Sequence, residues 1–89
     1  MGESIPRIVI MYKMWLKDKI GKDVEEINVN ADTTVYDLIN ILSRKYSFFK
    51  SVRDKGSEVV FLVNSRSVPK DYVLRNGDKV IVLPLVSGG

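Results

Sequence analysis

From Arg7 to Leu16 the chain is apolar at almost every position and rich in β-branched and aromatic residues, which predicts a β-strand with apolar side chains on both faces. Ile8, Ile10, Tyr12 and Met14 fall on one face, the expected core side, and Val9, Met11, Lys13 and Trp15 on the other. The polar stretch Lys17-Asp18-Lys19-Ile20-Gly21-Lys22 reads as the turn of a hairpin. Asp23 to Asn30 alternates, with Val24, Ile27 and Val29 as its apolar members; the slip at Glu25-Glu26 reads as a β-bulge. The period then changes. Val35, Leu38, Ile39, Leu42 and Tyr46 recur at i, i+3, i+4, i+7 and i+11, the stripe of an amphipathic helix. Thr34 is its expected N-cap, and Asp37 sits three residues on, beside the positive helix end. Each large aliphatic in that stripe contributes roughly 1.5–3 kcal/mol when fully buried, before entropy is subtracted. Residues 47–57 read as irregular, with a short helix over Phe48–Arg53 ended by Gly56. Glu58 to Asn64 is the clearest strand. Residues 64–67 read as a turn and Val68-Pro69 as a short extended piece. An Asn76-Gly77 turn precedes the last strand, Lys79 to Leu83.

The order strand, strand, helix, strand, short strand, strand predicts an α+β fold. The last long strand lies beside the first in a mixed sheet, and one main helix packs across one face. That is the β-grasp, or ubiquitin-like, arrangement: a single domain over 1–83, with 84–89 as a flexible tail. The face of the sheet away from the helix carries apolar residues by parity, namely Met11, Ile81 and Leu83. An uncovered apolar sheet face marks a protein partner.

The chain contains neither cysteine nor histidine. Thiolate nucleophiles, imidazole bases and zinc sites of the usual ligands are therefore excluded, and no metal site is legible. The net charge of +3 is uneven: Arg44, Lys45, Lys50, Arg53 and Lys55 face a single acid, Asp54, with Tyr46, Phe48 and Phe49 among them. Bases interleaved with aromatics can bind nucleic acid, but a solvated helix end followed by a buried aromatic turn explains the same residues more simply. No apolar run approaches 18 residues, and the first residues lack the pattern of a signal peptide. Those features predict a cytoplasmic chain with no membrane contact.

The distinctive chemistry lies in the final residues, Gly88-Gly89, which follow Pro84-Leu85-Val86-Ser87. A diglycine on an extended arm enters channels too narrow for any Cβ, and four extended residues reach roughly 13 Å. Thr34-Val35 with Asp37-Leu38, then Val63-Asn64, then Leu74-x-Asn76-Gly77-Asp78-x-Val80, then Pro84 to Gly89 together resemble the small subunit of molybdopterin synthase, within the wider class of ubiquitin-like sulfur carriers. The resemblance runs from about Ile8 to Gly89. One departure is Pro84-Leu85, where members of the family often carry two prolines.

The resemblance implies a carrier rather than an enzyme. Its partners would be the large synthase subunit and an ATP-dependent, ubiquitin-activating-like adenylyltransferase; ATP would be used by that enzyme and no cofactor held here. Gly89 would be adenylated and converted to a thiocarboxylate whose sulfur goes to a pterin precursor, building the dithiolene that holds molybdenum or tungsten. Gly88 and Gly89 would be the reactive tip, and Pro84, Leu85, Val86 and Ser87 the threaded arm. Ile81, Leu83 and Met11 are the expected docking face. Carriers for thiazole synthesis are typically shorter between helix and third strand, so the segment 46–57 argues against that acceptor. Carriers for tRNA thiolation, ubiquitin-like modifiers that form isopeptide bonds, and a β-grasp interaction module with an inert tail remain the alternatives.

Overall fold

The run of β-branched and aromatic residues forms β1 (Arg7–Tyr12) only as far as Tyr12. The computed structural model describes residues 5–55 and 59–85 of the chain. Ile8, Ile10 and Tyr12 are buried, whereas Val9 and Met11 are half-buried on the opposite face. Beyond Tyr12 the strand reading fails. The Leu16 N–H donates to the Lys13 carbonyl at 3.1 Å, turning the chain into a short helix, α1 (Trp15–Ile20). Gly21, at φ 94°, closes it by donating its N–H to the Lys17 carbonyl at 2.8 Å. The expected polar turn is thus a helical turn whose Leu16 is wholly buried, and Met14, expected in the core, is 57% exposed.

In β2 (Val24–Asn28) the register against β1 is unbroken, Arg7 opposite Asn28 through Met11 opposite Val24. There is no bulge at Glu25-Glu26. Glu25 instead occupies an inward position beside Ile27, and Val24 points outward, 49% exposed.

Helix α2 (Val35–Lys45) has the expected N-terminus. The Asp37 N–H donates to Thr34 Oγ1 and the Thr34 N–H donates to Asp37 Oδ2, both at 3.1 Å, a reciprocal capping box. The segment before β5 satisfies two more free helix donors: the Val35 N–H donates to the Tyr72 carbonyl and the Tyr36 N–H to the Lys70 carbonyl, each at 3.0 Å. Val35, Leu38, Ile39 and Leu42 are buried as the stripe predicts. The short second helix is α3 (Phe48–Lys55), two residues longer than expected.

β3 (Val59–Val63) turns through Asn64 and Ser65 into β4 (Arg66–Ser67), so the strand lies within the expected turn and Val68-Pro69 lies outside any strand. β5 (Lys79–Pro84) completes a five-stranded sheet in the order β2-β1-β5-β3-β4. β1 and β5 run parallel and every other pairing is antiparallel. The core joins the inward residues of the sheet to the apolar sides of the helices, with Phe49 and Leu74 wholly or almost wholly enclosed. This mixed sheet with its helical layer is the β-grasp architecture.

Candidate functional site

β5 carries Ile81, Leu83 and Pro84 of the residues singled out in the sequence, and the turn before it determines where they lie. Gly77, at φ 89°, allows the tight reversal; its N–H donates to the Arg7 carbonyl at 2.8 Å, while the Arg7 N–H donates to Asn76 Oδ1 at 2.8 Å. The carboxylate of the buried Asp78 accepts from Asn64 Nδ2 (2.9 Å), the Arg75 N–H (2.9 Å) and the Tyr72 hydroxyl (3.3 Å). Asn64 Oδ1 in turn accepts from the Lys79 N–H at 3.0 Å. These contacts lock the register of β5 against β1 and β3. A slip of one residue would exchange its outward and inward sets.

With that register, Met11 lies opposite Ile81, Ile81 opposite Leu62, and Leu83 opposite Val60. Val24 lies opposite Met11 at the other side. The three expected docking residues, Met11, Ile81 and Leu83, are therefore brought together, each half-buried, on the face away from α2 and α3. Sequence reasoning missed Val60, Leu62 and Val24 as their neighbours. The signal for the first two was present: they share one parity in β3, opposite to that of Val59, Phe61 and Val63. Val24 was grouped with Ile27 and Val29 across the supposed bulge, which hid its outward position.

Pro84 does not belong to a free arm. It is the last residue of β5, buried opposite Val59, which suits proline because its missing N–H is no loss at a strand end. Leu85 follows it, 53% exposed. Val86, Ser87, Gly88 and Gly89 lie outside the described residues.

The opposite edge of the sheet holds a buried polar cluster. Glu25 accepts from the hydroxyls of Tyr12 (3.0 Å) and Tyr46 (2.7 Å) and from the Lys45 ammonium, with Lys22 3.8 Å away. Burial pushes the Glu25 pKa up, but the hydrogen bonds from Lys45, Tyr46 and Tyr12 outweigh it and hold the carboxyl below its usual value. Burial, then the Glu25 carboxylate, pushes the Tyr46 hydroxyl up to about 12 and raises Tyr12 further. This cluster ties β2 to the end of α2 and engages two of the residues considered for nucleic-acid contact. Phe49 is buried, and Phe48 packs edge-on against it at 5.3 Å. Among the described residues there is no group of acids that could hold a metal ion, and no helix is long and apolar enough to cross a membrane.

A likeness to known proteins matches this geometry. The chain is 37% identical over 65 residues, 73% of its length and 75% of the relative's, to a molybdopterin synthase sulfur carrier subunit of Mycobacterium tuberculosis. Its structure is similar to that of a Pyrococcus furiosus protein assigned as molybdopterin converting factor, subunit 1 (TM-score 0.80, 30% identity, covering 91% of this chain and 99% of that one). It also shares its fold with small archaeal modifier protein 1 of Haloferax volcanii (TM-score 0.75, 20% identity, 91% and 99% covered). The family model described as ThiS matches residues 10–89. With only residues 1–9 outside that match, the chain belongs to the ThiS family.

Proposed function

We propose that this protein is the sulfur-carrying small subunit of a molybdopterin synthase. The observation that carries the reading is the end of β5. A buried Pro84 anchors the base, Leu85 stands exposed beyond it, and Val86 and Ser87 then lead in the sequence to Gly88-Gly89. The apolar face of Met11, Ile81, Leu83, Leu62 and Val60 docks the domain, and the arm presents Gly89 to the partner's interior.

The carboxylate of Gly89 is ionised at neutral pH, with an ordinary pKa of about 3.5, and oxide is a prohibitive leaving group. An ATP-dependent adenylyltransferase joins that carboxylate to the α-phosphate and releases pyrophosphate. The terminal sulfur of a persulfide then attacks the acyl-adenylate and displaces AMP, giving an acyl disulfide. A thiol reductant attacks the other sulfur of that S–S bond, leaves with it as a disulfide, and frees the Gly89 thiocarboxylate. In the large synthase subunit the thiocarboxylate sulfur attacks the pterin precursor. The chain supplies no acid or base to these steps. Its residues hold the arm, choose the partner and leave the tip free of side chains.

Intact-mass measurement tests the reading after incubation with ATP, the activating enzyme and a sulfur donor. The expected result is a gain equal to one oxygen replaced by sulfur, absent when Gly89 is deleted. An unchanged mass overturns it, and diglycine remnants on lysines of other proteins would instead mark a modifier.

A further inference from the structure

Met14 adopts φ 57° and ψ −135°, the first central position of a type II′ turn closed by the Leu16 N–H on the Lys13 carbonyl. Glycine suits that position, and any side chain there is strained. Yet the methionine is 57% exposed, so the core gains little from it. Strain at an exposed residue points to a contact outside the chain. Next to it Trp15, 47% exposed, stands edge-on to Phe48 with ring centroids 6.0 Å apart. Phe48 rests in turn on the buried Phe49, so the platform is rigid.

These residues lie where the arm leaves the domain. The Lys13 N–H donates to the Val82 carbonyl at 3.1 Å, Tyr12 lies opposite Val82, and α1 packs against β5. Met14 also shares a shallow depression of about 250 Å³ with Met11, Val24, Lys13, Lys17 and Asp23. The depression thus joins Met14 to Met11 and Val24 of the outer sheet face, with Lys13, Lys17 and Asp23 also lining it. Lys13 and Lys17 make no ion pair among the described residues.

The occupant follows from reach and area, and rests on the carrier reading. Five extended residues, 85–89, cover at most about 17 Å, so a protein that encloses the tip must bring the mouth of its channel against whatever surrounds the base. The outward apolar positions of the sheet span roughly 15 Å by 12 Å, on the order of 200 Å². A stable complex needs about 800 Å² per partner. The sheet face alone falls well short of that area, so a partner that encloses the arm also has to cover surface around the arm's base. We propose that Met14, Trp15 and Phe48 form an apolar collar at the base of the arm that packs against the channel mouth of the sulfur-accepting large subunit, where apolar side chains are flanked by carboxylates that meet Lys13 and Lys17.

The test is titration calorimetry of the full chain with the large molybdopterin synthase subunit of the same genome, comparing the unchanged chain with Met14→Gly and Trp15→Ser. Met14→Gly relieves the turn, so its melting temperature is expected to rise while its Kd weakens about fivefold or more. That opposition rules out unfolding as the cause. Trp15→Ser is expected to weaken Kd at least tenfold, as for a buried aromatic anchor. If the unchanged chain does not bind, the carrier reading and the collar fall together. If it binds and both variants stay within twofold, the collar alone falls. If the variants leave that Kd intact and instead impair ATP–pyrophosphate exchange by the activating enzyme, the collar serves a different occupant and the proposal is overturned.

Discussion

A carboxylate enclosed in a β-strand is ordinarily costly because burial disfavours its charged form. Glu25 avoids that cost only because Tyr12, Tyr46 and Lys45 converge on it. Replacing it with alanine leaves the buried Tyr12 hydroxyl without an acceptor. The expected loss is about 2 kcal/mol, a fall in melting temperature of roughly 8–16 °C for a domain of this size, measurable by thermal melts at pH 7. The pH dependence has a definite sign. The Glu25 pKa is lowered on folding, so its stabilisation is complete above the ordinary carboxylate value of about 4.3. It is lost as pH falls through the lower folded value. The two tyrosines are raised on folding. Their contribution is complete below about pH 10 and is lost as pH climbs through the folded value of Tyr46, about 12. Urea midpoints of Glu25→Gln against pH should therefore fall less steeply in acid than those of the unchanged chain. None of this was legible in the alternation of apolar and polar positions. An acid at an inward position breaks the pattern and reads as a bulge; the donors that justify it come from β1 and from the end of α2, 13 residues earlier for Tyr12 and 20 residues further on for Lys45.

Helix α2 was legible because its signals are local and agree: a five-member apolar stripe, an N-cap and an acid three residues later. Thr34→Ala should cost about 1 kcal/mol by removing the acceptor for the Asp37 N–H. Helix α1 was not legible because six residues hold too few apolar positions to show a period, and Leu16 with Ile20 is a single i, i+4 pair. Its formation depends on the turn at Met14 and on the burial of Leu16 against the rest of the core. The β3–β4 connection was misread for a different reason. Asn64 and Ser65, at φ 53° and 67°, make a two-residue hairpin loop of the kind usually written Asn-Gly. Asn64 tolerates the left-handed region, and its side chain is engaged by Asp78 and Lys79. Ser65 has no such hydrogen bond, and a left-handed L residue costs roughly 1 kcal/mol. Ser65→Gly should therefore stabilise the domain by up to about that amount, raising the melting temperature by roughly 4–8 °C. An unchanged or lower value would show that the loop is not limited by backbone strain.

The topology of the whole sheet followed from element order, since a hairpin, a crossover helix and a final strand beside the first leave few other arrangements. The division of β5 into two faces followed from parity, and that division can be tested on adjacent residues. Val82 is fully buried toward α2 and α3, while Leu83 is half-buried on the open face opposite Val60. Aspartate at either position introduces the same charge one residue apart. At Val82 the carboxylate is enclosed in a core whose described members include no lysine or arginine. The expected loss is several kcal/mol, enough to unfold a domain whose total stability is about 5–10 kcal/mol. At Leu83 the carboxylate reaches solvent, so the melting temperature should stay within a few degrees. The cost at Leu83 arises only when a partner covers the face, because the charge is then buried without a counterion. Affinity for the large subunit should fall tenfold or more, equivalent to about 1.4 kcal/mol or beyond. Circular dichroism and binding measurements on the two variants thus separate the faces. A folded Val82→Asp or an unfolded Leu83→Asp would invert the assignment, and a folded Leu83→Asp with unchanged affinity would take the open face out of the interface. The second outcome would leave the arm as the main determinant of binding, because on the proposed carrier reading Gly89 would still have to reach the partner's reactive centre.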